Sequence, residues 1–69
     1  MQLSARNQFS GTVTSTKLGD VIAEVTIDIG GGHHIVAAIT RESAERLGLR
    51  EGASATAIIK ATEVLVATG

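Results

Sequence analysis

Residues 21–29 alternate between apolar and polar side chains, and this pattern constrains the fold more than any other part of the sequence. Glu24, Thr26 and Asp28 would share one face of an extended strand, with Ile22 as the exception to the alternation. The opposite face is predicted to be buried and consists of Val21, Ala23, Val25, Ile27 and Ile29. Three consecutive glycines follow, and residues 33–39 are again mostly apolar. Two such runs joined by glycines predict an antiparallel β-hairpin.

Three further strands and one short helix are predicted around this hairpin. Threonines and a valine in residues 12–16 favour a first strand, which ends in a turn at residues 17–20. Thr40 is typical of an N-cap for a helix over residues 41–47, and Gly48 of a left-handed C-cap. A fourth strand is expected over residues 55–60 and a fifth over residues 62–67. This order predicts an all-β fold with one short helix, a five-stranded OB-like β-barrel.

The length of 69 residues predicts a single domain over residues 1–69. A domain of this size buries only about 60% of the surface that its unfolded chain exposes, so it needs additional stabilisation. The chain contains no cysteine, which excludes disulfides, zinc knuckles, iron–sulfur clusters and thiol catalysis. Self-association is therefore the expected source of stability.

Charge and composition argue against two classes of partner. The six basic and seven acidic side chains give a net charge of −1, and Phe9 is the single aromatic residue. Binders of nucleic acid usually have net positive charge or stacking aromatic side chains, so no nucleic acid is expected. The longest apolar run, residues 35–39, is far shorter than the roughly 20 residues of a membrane span. No signal-peptide pattern opens the chain, and we expect a cytoplasmic protein.

Catalytic and metal sites have little support in the sequence. His33 and His34 are adjacent on a predicted strand, so their side chains point to opposite faces and do not bind one metal ion together. Glycines 30–32 lead into a strand and not into a helix, which favours a hairpin turn over a phosphate-binding loop. We therefore expect no enzymatic activity, no catalytic residue, no metal site and no cofactor.

Hydrogen-bond donors are concentrated near both ends of the chain. Ser4 and Arg6 would share a face of an extended segment, as would Lys60 and Thr62. If the first and last strands pair, these side chains converge and suit a tetrahedral dianion. Ser43, at the third helical position, adds a hydroxyl near free backbone N–H groups. The alternative is that Arg6 and Lys60 are surface charges paired with acidic neighbours such as Glu63 or Asp20, and that Ser43 only stabilises the helix start.

The same segments resemble the molbindins, small cytoplasmic molybdenum-pterin binding proteins built from a single Mop-type (TOBE) domain. The resemblance covers essentially the whole chain. Its most specific parts are the two end motifs, Ser4-Ala5-Arg6-Asn7 and Ile59-Lys60-Ala61-Thr62-Glu63-Val64. Between them lie Gly11-x-Val13, Gly19-Asp20-Val21-x-Ala23-Glu24-Val25, Ile35-Val36-x-x-Ile39-Thr40 and Leu47-Gly48-Leu49-x-x-Gly52.

This resemblance implies a five-stranded OB-like barrel that assembles as a homohexamer, a trimer of dimers. It also implies binding of molybdate or tungstate at subunit interfaces, for molybdenum storage and homeostasis. The ligand positions that match are Ser4, the backbone N–H of Ala5, Arg6, Ser43, Lys60 and Ala61, with Asn7 and Thr62 as supporting residues. Some relatives carry serine at the position of Ala61, which here offers only its N–H.

Two other functions remain open at this point. The first is an OB-fold module that binds nucleic acid, which the charge and the single aromatic residue disfavour. The second is a subunit that senses an oxyanion and docks on a partner protein.

Overall fold

A computed structural model describes residues 5–69 of the chain. Its elements, in chain order, are β1 (Asn7–Leu18), β2 (Ile22–Gly30), β3 (His33–Thr40), the helix α1 (Arg41–Arg46), β4 (Ser54–Ile59) and a 3₁₀-helix (Ala61–Glu63). The four strands form one curled sheet in the order β3-β2-β1-β4, and all neighbouring strands are antiparallel. The result is a mainly β half-barrel, consistent with an OB-like fold.

The predicted hairpin is confirmed. Strands β2 and β3 pair antiparallel, with Ile27 opposite Ile35 and Ala23 opposite Ile39. The glycines between them turn the chain with positive φ angles of 92°, 63° and 80°, which residues with a Cβ rarely adopt. The carboxylate of Asp28 accepts a hydrogen bond of 2.8 Å from the Gly30 N–H and so supports this turn.

One face of the sheet carries the core. The alternation within β2 places Ala23, Val25 and Ile27 on this face, where all three are buried as predicted. Val25 and Ile27 pack with Val13 of β1 and Ala57 of β4. Val21 differs from the prediction, because it precedes β2 and is 70% exposed.

The helix α1 begins at Arg41 as predicted and ends at Arg46, one residue before the predicted end. The Thr40 side chain accepts a hydrogen bond of 3.1 Å from the Ser43 N–H, which is an N-cap. At the other end Gly48 has a φ of 66°. The N–H groups of Gly48 and Leu49 donate to the carbonyls of Glu45 and Ala44, both at 3.1 Å. These two bonds form a Schellman motif, and Leu49 packs against the core.

The first strand is longer than predicted, and the fifth strand is absent from the described residues. Lys17 and Leu18 belong to β1, so the turn begins at Gly19, whose N–H donates to the carbonyl of Ile22. Residues 62–67 do not form the predicted strand: a 3₁₀-helix covers Ala61–Glu63, and the segment beyond it pairs with no strand. Leu65 and Val66 are 96% and 87% exposed. β-propensity alone does not make a strand, because its backbone groups need a partner.

The missing strand leaves the core face open between β3 and β4. An apolar groove of about 700 Å³ lies there, with Ile35 and Ile39 on one side and Ala57 and Ile59 on the other.

Within residues 5–69, no helix has the length and apolarity that a bilayer crossing requires.

Gly11 allows β1 and β2 to approach closely. A Cβ at this position would overlap the Asp28 carbonyl oxygen and lie 2.9 Å from Cγ2 of Ile27. We expect Gly11→Ala to lower the free energy of unfolding by about 1–3 kcal/mol, because β2 must shift. Urea denaturation measures this change. The neighbouring exposed Ser10→Ala is the control, and equal stability of the two variants would contradict the close approach.

Candidate functional site

The two donor segments lie at the same end of the β1–β4 strand pair. Asn7, the first residue of β1, is opposite Ile59, the last residue of β4. Because the strands are antiparallel, Arg6 precedes the pair at the end where Lys60 follows it. The predicted pairing of the first strand with a fifth is not observed; β1 instead pairs with β4, and this pairing places Arg6 and Lys60 at the same end.

Side-chain amides hold this end of the sheet in place. The Asn7 Nδ2 group donates a hydrogen bond of 3.1 Å to the Ile59 carbonyl, across the two strands. The Gln8 Nε2 group donates at 3.1 Å to the Ala5 carbonyl, within the N-terminal segment. Sequence reasoning missed Gln8, since nothing in its residue type distinguishes it from an ordinary exposed strand residue.

Arg6 and Lys60 are exposed and bring two positive charges to this end of the sheet. Within residues 5–69 the single salt bridge joins Arg41 to Glu45, with 2.7 Å between Nε and Oε1. Neither Arg6 nor Lys60 is paired with Glu63 or Asp20, as the alternative interpretation of these charges required. Among residues 5–69, both cations are therefore exposed and form no salt bridge.

The Lys60 segment differs from the prediction in its local shape. The predicted common face of Lys60 and Thr62 is wrong, because the 3₁₀-helix that starts at Ala61 breaks the extended alternation. The Glu63 N–H donates to the Lys60 carbonyl at 2.9 Å. As the first residue of this helix, Ala61 has an N–H without a partner inside the helix. Its backbone donor is the group that the sequence analysis assigned to this position.

Ser43 lies at the other end of β1 from the two cations. The N–H of Arg41, at the start of α1, donates at 2.7 Å to the Val21 carbonyl, in the turn that follows β1. Leu18 lies eleven residue steps after Asn7, which is about 36 Å of strand path. The structure therefore does not bring Ser43 to Arg6 and Lys60 within one chain.

The Ser43 hydroxyl is nevertheless oriented. The Thr40 hydroxyl donates to Ser43 Oγ at 2.8 Å. Since Ser43 Oγ accepts this bond, its own hydrogen remains free to donate elsewhere. Ser4, the remaining predicted ligand, lies outside the described residues.

The histidines form no metal centre in the described part of the chain. His33 is opposite Gly30 and His34 is opposite Asp28, and both are exposed. Across residues 5–69, no three side chains of the His, Asp and Glu types are grouped closely enough to hold a metal ion.

Residues 3–66 match the family model described as the TOBE domain. The chain belongs to the TOBE domain family. Molybdenum-pterin-binding protein 1 of Clostridium pasteurianum is 47% identical over 66 residues, which are 96% of this chain and 97% of that relative. The match confirms the resemblance that the end motifs indicated.

Two solved structures share the fold of this TOBE domain. MopII from Clostridium pasteurianum has a TM-score of 0.91 and 45% identity, over 97% of this chain and 100% of its own. The cytoplasmic molybdate-binding protein ModG, solved with molybdate bound, has a TM-score of 0.85 and 49% identity. That match covers 88% of this chain and 43% of the ModG chain. The fold is therefore shared with MopII and with ModG, of which ModG is described as molybdate-binding.

Proposed function

We propose that this TOBE domain binds molybdate, as an oxyanion, without catalytic turnover. The observation that carries the proposal is the β1–β4 register, in which Arg6 and Lys60 flank the same end of one strand pair. The ligand class is supported by the full-length similarity to molybdenum-pterin-binding protein 1 and by ModG, which was solved with molybdate bound.

The proposed ligands are all hydrogen-bond donors, which suits a fully deprotonated dianion. Arg6 offers a planar fork and Lys60 a point charge, while Ala5 and Ala61 offer backbone N–H groups. Ser4 and Ser43 supply hydroxyls, and Asn7 and Thr62 support the two segments. Hydrogen bonds to a charged partner contribute about 1.5–3 kcal/mol each, so five or six support micromolar affinity, about −8 kcal/mol, after the costs of association.

We further propose that the site lies between subunits. Ser43 is at the opposite end of β1 from Arg6 and Lys60, so an anion that contacts all three needs Ser43 from a second copy. The open apolar groove and the exposed Leu65 and Val66 support self-association, because a second copy would cover apolar surface that one chain leaves in water. The assembly that we propose is the hexameric trimer of dimers that the resemblance to molbindins implies.

The cellular role that we propose is storage and homeostasis of molybdenum in the cytoplasm. The description of ModG as a cytoplasmic molybdate-binding protein supports this location. Tungstate, a tetrahedral dianion of similar size, is proposed as a second ligand because it meets the same donors. We propose that residues 1–69 form one domain of this type and that it binds the anion without a further cofactor.

Replacing either cation tests the proposed site. We expect Arg6→Ala and Lys60→Ala each to weaken molybdate binding by about ten- to a hundredfold, because each removes a charge-assisted bond. Isothermal titration calorimetry of anion-stripped protein measures the affinity.

Matched controls come from other exposed cations, Arg50→Ala for Arg6 and Lys17→Ala for Lys60. They should bind molybdate as the parent protein does. Unchanged affinity in Arg6→Ala and Lys60→Ala would exclude these residues as ligands, and absence of binding by the parent protein would exclude the function.

Mixed assemblies test whether the site is shared. Arg6→Ala removes a ligand from one side of the proposed interface, and Ser43→Asp adds a repelling carboxylate on the other. Co-expression of the two variants should restore about one in four sites if subunits mix at random, because some sites then receive an intact Arg6 and an intact Ser43. Calorimetric stoichiometry detects them. A site built within one chain would not be restored, since every chain carries one defect.

A further inference from the structure

The amide of Asn7 makes a contact that local structure does not require. It joins residues 52 positions apart, from the first residue of β1 to the last residue of β4. Asn7 is partly buried, it directly follows Arg6 in the sequence, and its bond partner Ile59 directly precedes Lys60. The hydrogen bond between Asn7 and Ile59 therefore lies at the end of the β1–β4 pair, where the segments with Arg6 and Lys60 leave the sheet.

The backbone hydrogen bonds between β1 and β4 alone hold the Asn7–Ile59 end of the strand pair weakly. Beyond Asn7 and Ile59, the β1–β4 pairing is not continued, since Lys60 leads into the 3₁₀-helix. The last residues of a strand pair fray most readily, because they have ladder neighbours on one side only. The side-chain hydrogen bond between Asn7 and Ile59 restrains the distance between β1 and β4 at this end. This distance determines how far apart the Arg6 and Lys60 segments lie.

We propose that Asn7 is a positioning residue that sets the spacing between the Arg6 and Lys60 segments and thereby the size of oxyanion that they accept. This inference rests on the proposed function. Fixed donors discriminate between tetrahedral dianions, because donors spaced for molybdate are too far apart to close on the smaller sulfate. Without the restraint the donors adjust to either ion, and discrimination falls.

This role is distinguishable from a general contribution to stability. A variant that only lowers the folded fraction reduces the apparent affinities for molybdate and sulfate by the same factor. The ratio of the two dissociation constants is then unchanged. A change in spacing alters that ratio, so the ratio is the quantity to measure.

The experiment uses Asn7→Leu, which keeps the approximate shape of the side chain and removes the donor. Calorimetric titrations with sodium molybdate and with sodium sulfate, on the full chain, give both dissociation constants. We expect molybdate affinity to fall by about tenfold and the preference for molybdate over sulfate to fall by about threefold or more.

The matched control is Thr16→Val on the same strand. Thr16 is also partly buried, and its hydroxyl donates at 3.0 Å to the Leu49 carbonyl, far from Asn7. The variant loses a comparable side-chain bond to the backbone and should keep the parent preference between the two anions. If Asn7→Leu does not fold, as judged by circular dichroism, Asn7→Ser replaces it, because serine is too short to reach the Ile59 carbonyl.

An unchanged preference in a folded Asn7 variant would overturn the inference while leaving molybdate binding intact. The same loss of preference in Thr16→Val would also overturn it, since the effect would then be general. Failure of the parent protein to bind molybdate would instead overturn the proposed function, and this inference with it.

Discussion

The antiparallel pairing of β1 with β4 is the contact on which the rest of the molecule depends. Strand β1 is the common neighbour of β2 and β4, so it joins the β2–β3 hairpin to the C-terminal part of the chain. The core forms across this junction, where Val13 of β1 packs with Val25 of β2 and Ala57 of β4. The same pairing brings Arg6 and Lys60, from the segments near the two chain ends, to one end of the β1–β4 strand pair. The hydrophobic core and the candidate site therefore both depend on the pairing of β1 with β4.

Much of the fold could be predicted because its signals are local. The alternation of residues 21–29 determines which face of β2 is buried, and Thr40 and Gly48 mark the ends of α1 through bonds within a few residues. The fifth strand could not be predicted in the same way. Val64 and Val66 have the β-propensity of strand residues, but pairing depends on a distant partner, and within residues 5–69 none pairs with them.

In the candidate site, too, local features could be predicted from the sequence and features that depend on distant residues could not. The residue types indicate Arg6 and Lys60 as candidate anion ligands, since the chemistry of a donor is carried by the side chain itself. The positions of Ser43, at the far end of β1, and of Thr62, within a 3₁₀-helix, depend on strand length and on local turns. Strand length and local turns are not encoded in short motifs such as those at residues 4–7 and 59–64. The Asn7 bond to Ile59 depends on a register between strands 52 residues apart, which no local pattern reveals.

That register also has a kinetic consequence. The β2–β3 hairpin closes a short loop, whereas the β1–β4 pair must bring together residues near both ends of the chain, so its loop closure is entropically the most demanding step of folding. An anion bound at this junction would hold β1 and β4 together and slow the opening of the sheet. The lifetime of the folded chain would then depend on the supply of its ligand.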